Sequence, residues 1–258
     1  MRNLLTRVDN IKMNEKLLEY FNNIEQHHWW WEGRREILRQ ELPRKEGLKV
    51  LDIGCGTGET MTFVKSFLDS PKVVGVDNSQ VAVNFAKKRG HLVYKVDALK
   101  LPFPDNSFDV ILLLDVIEHI KDDISFLSEA KRVLKKGGKI IVTAPALQFI
   151  WSKHDTGQGH QRRYTRHMIK DLAESCRLKL TRLSYFNFFL SPAIIAIRLL
   201  SRLPLFSKFG EYDSDLNYKV ADKNIVNSIL KTIFVSEIKL MKFVGYPIGI
   251  SVCAIFLK

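Results

Sequence analysis

Between residues 48 and 145, short runs of β-branched and apolar residues alternate with helical stretches, a rhythm that few folds accommodate. "LKVLDIG" (48–54), "KVVGVD" (72–77), "LVYKVDA" (92–98), "FDVILLL" (108–114) and "KIIVTAP" (139–145) read as strands. Near-continuous apolar runs mark strands covered on both faces, and helices between them make the pairing parallel. "GETMTFVKSFL" (58–68), "SQVAVNFAKKRG" (79–90) and "DISFLSEAKRVLKKGG" (123–138) read as those helices. The last ends in basic residues and glycine, which suit a helix C-terminus. The expected fold class is α/β: a doubly wound, Rossmann-like, mostly parallel sheet, with its ligand crevice beyond the C-terminal ends of the strands. Upstream, residues 13–42 read as helical and stop at Pro43.

The first strand leads into "VLDIGCGTGET", with Gly54, Gly56 and Gly58 between strand and helix. Glycine there lets backbone N–H groups approach a ligand closely. A dinucleotide loop would carry its third glycine at 59. Glu59 stands there instead, putting a carboxylate where a pyrophosphate would lie, so NAD fits poorly. Asp52, just before the loop, suits a cationic group such as an α-amino group or a sulfonium. Asp77 ends the second strand 25 residues on, where an acid can accept both ribose hydroxyls. Asp97 ends the third strand, placed to accept from an adenine amino group, and Asp115 ends the fourth. Four strands thus deliver an acid to one edge of the sheet.

These pieces resemble the class I S-adenosylmethionine-dependent methyltransferases, and among them the type 11-like methyltransferase domain. "VLDIGCGTG", "VVGVDNS", "VDALKLPFPDNSFDVILLLDVIEHI" and "RVLKKGGKIIVTAP" carry the resemblance in order and spacing over about residues 48–146. The resemblance implies S-adenosyl-L-methionine as cofactor, with Gly54, Cys55, Gly56 and Gly58 around its methionine part and Asp52 nearby. Asp77 would hold the ribose, Asn78 would sit beside the adenosine, and Asp97 with Ala98 would touch adenine. Asp115 to His119 would border the methyl group. Cys55, between glycines, reads as a size choice rather than a reactive thiol. "HHWWWEGRREIL" (27–38) is similar to a segment that closes over the cofactor in some members. There Arg34 or Arg35 would grip the cofactor carboxylate. Trp29, Trp30 and Trp31 would either wall the sulfonium or pack the N-terminal helix on the sheet. The family also implies two antiparallel closing strands, making seven, and "LKLTRLSYFNF" (178–188) and "YPIGISVCAIFL" (246–257) fit them.

After the fifth strand, on the crevice side, comes "WSKHDTGQGHQRRYT" (151–165). In the family this loop faces the acceptor, which explains its proton- and anion-handling side chains. Methyl transfer depends on positioning, and a hydroxyl or amine acceptor must lose a proton. His160, His154 and His119 are the candidate bases, His160 first because Gly159 lets the backbone bend inward. Asp155 is expected to orient a neighbour or touch substrate, and Arg162, Arg163 and Tyr164 to hold a substrate phosphate or carboxylate. Thr165 reads as the N-cap of "RHMIKDLAESC" (166–176). No metal is expected, since no histidine pair has H-x-x-x-H spacing.

The organisation expected is an N-terminal helical cap (1–47), a cofactor-binding core (48–188), a helical insertion (189–245) and a closing strand (246–258). In the insertion, "FFLSPAIIAIRLLSRLPLF" (188–206) reads as a helix between Pro192 and Pro204, with Ser191, Arg198 and Arg202 as a polar stripe. Three readings stay open: a lid over an apolar acceptor pocket; a peripheral membrane contact in which Arg198, Arg202 and Lys208 meet lipid phosphates; or a dimer contact. The first two favour a lipid-like or lipid-linked acceptor.

The chain has 258 residues and a net charge of +12, which suits an anionic partner or an ordinary lysine-rich surface. No appended RNA-binding module and no N-P-P-Y or D-P-P-Y follow the fourth strand, so nucleic acid is disfavoured. Three scattered cysteines, no secretory h-region and no apolar run of 18 lead to the expectation of a cytoplasmic protein, with the inner membrane surface as its peripheral site. The function expected is methyl transfer to a small-molecule or lipid-linked acceptor, at oxygen. An RNA methyltransferase and a non-catalytic S-adenosylmethionine-binding protein are the alternatives. Oligomeric state is left open.

Overall fold

The computed structural model describes residues 15–200, 202 and 225–258. Its strands are β1 (Lys49–Ile53), β2 (Lys72–Asp77), β3 (Leu92–Lys95), β4 (Phe108–Leu114), β5 (Leu134–Pro145), β6 (Lys179–Phe186) and β7 (Ser251–Leu257). They form one seven-stranded sheet in the order β3-β2-β1-β4-β5-β7-β6. The first five pair in parallel, and β7 pairs antiparallel with both β5 and β6, so β7 alone runs against the rest. The expected α/β sheet with two closing strands is therefore present. Strand order reverses between β1 and β4, and there the C-terminal strand ends open a crevice.

Two glycines set the spacing of the layers. A Cβ on Gly75 of β2 would lie 2.7 Å from Met61 Sδ and 2.8 Å from Cys55 Sγ. Only glycine lets α3 (Glu59–Phe67) settle that close to the sheet. A Cβ on Gly33 would lie 2.1 Å from the Phe234 ring, so glycine also sets the contact of α2 (Trp29–Glu41) with a C-terminal helix, α9 (Ile225–Met241). The helices between are α4 (Gln80–Lys88), α5 (Asp123–Val133), α6 (Lys153–Gln158), α7 (Arg166–Ser175) and α8 (Ser191–Leu200).

Several boundaries differ from the sequence reading, each for a local reason. The helix expected over 13–42 is two, α1 (Glu15–Ile24) and α2, and the His28 side chain caps α2 by accepting from Trp30 N at 3.2 Å. The helix expected to 138 ends at Val133, and "LKKGG" is the extended start of β5, paired Phe108↔Leu134 before a register shift. β7 begins at Ser251 rather than 246, although Tyr246 bridges Tyr185. Thr165 caps α7 as expected, accepting from Met168 N at 3.2 Å. Of the helix expected over 188–206, α8 covers Ser191–Leu200; Pro204 and Lys208 lie outside the described residues.

The insertion and the N-terminal segment pack together. Asn227 on α9 accepts from Trp29 N and donates to His27 O, both at 2.9 Å, and Gln40 donates to Ile238 O at 2.8 Å. Trp30 stacks on Phe234 at 5.4 Å and on Phe186 at 6.0 Å. Among the described residues, no helix is long and apolar enough to cross a membrane.

Candidate active site

The crevice is a cavity of about 1380 Å³ walled by the glycine loop, the four strand ends, α2, the 154–163 loop and α8. Its two ends differ chemically.

At the β1 end, Gly54 and Gly56 take φ of +72° and +53°, in the left-handed region that side chains resist. A Cβ at Gly54 would also sit 2.4 Å from Val116, whereas one at Gly56 would meet nothing within 4 Å. The loop therefore presents bare backbone to open space. Gly56 N donates to Asp77 Oδ2 at 2.9 Å and Ser79 N to Asp77 Oδ1 at 2.8 Å. Those bonds fix the carboxylate at the cavity wall, although burial still raises its pKa. Asp97 accepts from Leu99 N at 3.0 Å, and Asn78, Asp97 and Ala98 line the cavity beyond β2 and β3.

Asp52 is buried, and its Oδ2 has no hydrogen-bond partner in the structure. Burial pushes its pKa up to about 7, against the opposing pull of Arg34. Arg34 Nη1 pairs with Asp115 Oδ2 at 3.0 Å while its buried Nε has no partner. Asp115 is itself held in the left-handed region at φ +57° and accepts from Thr143 Oγ1 at 3.1 Å. One end of the cavity thus offers an unsatisfied carboxylate oxygen and an unsatisfied guanidinium N–H. That pair fits the ammonium and carboxylate of an amino-acid moiety, as the methionine part of S-adenosylmethionine would present.

At the opposite end, Asp155 organises the loop. It is fully buried and accepts from Ser152 N at 2.9 Å, from Arg163 Nε at 2.8 Å and from Arg198 Nη1 at 3.5 Å. Its carboxyl is held below the usual range by His160 and Arg163, which outweigh burial. His160 Nδ1 lies 2.9 Å from Asp155 Oδ1. Nδ1 can donate to that carboxylate, and Nε2 on the other side of the ring lies 3.9 Å from Glu118 Oε1. His119 packs edge-on to His160, ring centroids 4.9 Å apart. Burial pushes His119 down to about 4 and His154 down to about 3, so both are neutral at physiological pH.

The structure brings most of the expected residues together. Arg34, Asp52, Gly54, Cys55, Gly56, Asp77, Asn78, Asp97, Ala98, Asp115, His119, His154, His160 and Arg163 all line this cavity. Gly58 sits one step behind, where a Cβ would meet His91 at 2.8 Å. Cys55 is buried and its thiol pKa is raised by that burial, in keeping with a size role. Other expectations need correction. Arg162 and Tyr164 do not hold a substrate anion: both bond to Asp123 beneath the loop, and Tyr164 is buried. Arg163 is spent on Asp155 and on Ala146 O. Arg35 bonds to Glu25 O and Gln26 O, and of the two arginines it is Arg34 that lines the cavity. Of the expected polar stripe, Ser191 and Arg198 are buried and Arg198 pairs with Asp155, whereas Arg202 lies beyond the end of α8, exposed, and donates to Trp151 O.

Residues 51–142 match the family model of the methyltransferase domain. Over those residues the chain carries a methyltransferase domain. A demethylmenaquinone methyltransferase of Staphylococcus saprophyticus is 31% identical over 152 residues, 52% of this chain and 64% of that protein. An uncharacterised protein of Methanocaldococcus jannaschii is 36% identical over 124 residues, 48% of this chain and 56% of that one. The chain thus spans only about half to two thirds of the length of these relatives. Among solved structures, phosphoethanolamine N-methyltransferase 2 of Haemonchus contortus, in complex with S-adenosyl-L-methionine, superposes with a TM-score of 0.66 at 20% identity. That match covers 97% of this chain and 59% of the other. The 4+2 cyclase SpnF superposes at 0.62 with 18% identity over 95% of this chain and 94% of its own. Both likenesses are of fold.

Two features of this methyltransferase domain were not legible as single residues. Glu118, inside "DVIEHI", is buried at the acceptor end with neither oxygen bonded in the structure. Burial, then Asp115, raises its pKa well above the carboxylate range. α8 contributes Ile194 and Ile197 to the cavity wall, closing it from above.

Proposed function

We propose that this protein transfers a methyl group from S-adenosylmethionine to an oxygen of a small-molecule or lipid-linked acceptor. The observation that carries the reading is the polarity of one continuous cavity. At its β1 end, Asp52 and Arg34 complement a zwitterion, and Asp77 and Asp97 present acceptors to ribose and adenine. At its far end, neutral histidines stand beneath an apolar lid.

Bound between these ends, the cofactor supplies a methyl carbon on sulfur; as the acceptor oxygen–carbon bond forms, the carbon–sulfur bond breaks with its electrons returning to sulfur. The chain's own residues do the rest. The glycine loop and Asp77 fix the donor's position, so displacement becomes a matter of alignment. Asp155 holds His160 with Nε2 free to take the acceptor's proton. Ile194 and Ile197 exclude water and favour an apolar acceptor body. The demethylmenaquinone methyltransferase among the relatives supports an acceptor of this kind. Lid and membrane contact are compatible. Leu199 and Leu200 at the end of α8 are exposed, and these apolar side chains, with the exposed Arg202 beside them, would touch a bilayer.

The test is incubation with methyl-labelled S-adenosylmethionine and a lysate of the encoding organism, followed by phase partition. Label in the organic phase supports a lipid-linked acceptor, and label in the acid-soluble aqueous phase supports a soluble one. Label confined to RNA would overturn the reading in favour of the RNA alternative. No label from a protein that binds the cofactor would favour the non-catalytic one, a use the fold permits.

A further inference from the structure

We propose that Glu118, His119 and His160 form a binding site for one divalent first-row transition-metal ion at the acceptor end of the cavity. Each of the three offers a donor atom, and these atoms lie within 4.8 Å of one another. His160 Nε2 and Glu118 Oε1 are 3.9 Å apart. Ligands at about 2.1 Å from a common ion stand roughly 3–3.5 Å apart. A small rotation of the Glu118 carboxylate, which nothing in the structure tethers, would close the gap.

The second observation is Glu118 itself. It is 1% exposed, and both of its oxygens are buried without a hydrogen-bond partner in the structure. A buried carboxylate left bare is costly, and Asp115 nearby adds repulsion. A cation answers both.

The histidines are pre-arranged in the way metal ligands are. A ligating imidazole characteristically has its other ring nitrogen tied to a carboxylate or a carbonyl. His160 is tied in this way, through Nδ1 to Asp155, and His119 packs edge-on against it. Two imidazoles and one carboxylate suit zinc, manganese, iron or cobalt better than magnesium or calcium, which prefer all-oxygen shells. The ligands come from "DVIEHI" and from His160 in the following loop, which no H-x-x-x-H pattern could reveal.

The site borrows from the proposed function only its place beside the acceptor. With the ion bound, His160 Nε2 becomes a ligand instead of a base. The ion then draws the acceptor oxygen into place and lowers its affinity for its proton, which leaves to solvent.

The experiment is titration of the tag-free, chelator-treated protein with Co²⁺, read by visible d–d absorption, with Zn²⁺ as competitor. S-adenosylmethionine binding is measured in parallel. One saturable Co²⁺ per chain, displaced by Zn²⁺, is expected. Glu118→Gln and His119→Gln should each weaken it at least about tenfold, and Asp155→Asn by about 10- to 100-fold. Cofactor binding by Glu118→Gln should match wild type, which shows that the variant is folded. No saturable signal up to about 1 mM Co²⁺, or an equal signal in both Gln variants, would overturn the site. Cofactor binding without Co²⁺ would remove the metal site and leave the methyl-donor reading standing. Co²⁺ binding without cofactor binding would do the reverse.

Discussion

Asp155→Asn should be among the most damaging isosteric substitutions in this protein. The side chain is 0% exposed and serves His160, Arg163, Arg198 and the Ser152 amide at once. Its two arginine partners are themselves buried, at 3% and 5% exposure. Asparagine keeps the volume but removes the negative charge that pairs with both Arg198 and Arg163. Breaking a buried pair from one side leaves an uncompensated charge and costs about 3–5 kcal/mol. For a chain of this size that corresponds to a fall in Tm of roughly 6–20 °C. Thermal and urea unfolding should show the loss. Hydrogen exchange should show whether residues 151–165 open first, which would cap the global effect. Methyl transfer should fall as well, by about 10²-fold or more, because Nδ1 of His160 loses its fixed acceptor. The double variant Asp155→Asn with Arg198→Met should be less destabilised than Asp155→Asn alone, since it also removes one of the buried cations that Asp155 serves. A loss under about 1 kcal/mol, or no recovery in the double variant, would refute the charge-hub account.

Three further outcomes are expected. Asp52 titrates at about 7, and below that pH it is protonated and no longer attracts a cation, so S-adenosylmethionine affinity should fall by up to about tenfold per pH unit on acidification; calorimetry between pH 5.5 and 8 checks the direction, and a flat profile would detach Asp52 from the ligand's charge. Asp77→Ala should weaken cofactor binding by about 10- to 100-fold, because the wall loses its charged acceptor and the Gly56 and Ser79 amides lose their partner; calorimetric titration with S-adenosylmethionine checks it. Gly33→Ala should destabilise by a net of about 1 kcal/mol, the 2.1 Å overlap with Phe234 outweighing the gain in helix propensity, and Phe234→Leu in the same chain should recover part of it in urea titrations.

How much was legible in the sequence follows from the range of the forces involved. Strands, helices and the glycine loop were readable because hydrophobic periodicity and positive-φ glycines act over a few neighbours. The acids at 52, 77, 97 and 115 were readable because a parallel sheet sends every strand's C-terminal residue to the same edge. The break at 25–28 escaped because it depends on His28 capping α2, and the early end of α5 escaped because Phe108 pairs with Leu134. Arg162 and Tyr164 looked like anion binders because their partner, Asp123, lies about forty residues away in sequence.

By itself, then, the sequence determined the α/β architecture and named candidate residues most of which line the cavity at the strand ends. Those rest on short-range patterning and on the topology it implies. Only the tertiary structure decided that Arg198 of α8 turns inward onto Asp155, and that Glu118 is left bare beside His160. Those two contacts, Asp155–Arg198 and Glu118–His160, join segments more than 40 residues apart through burial and charge. No spacing along the chain encodes them, because chain folding in three dimensions, rather than local preference, sets which buried charge meets which.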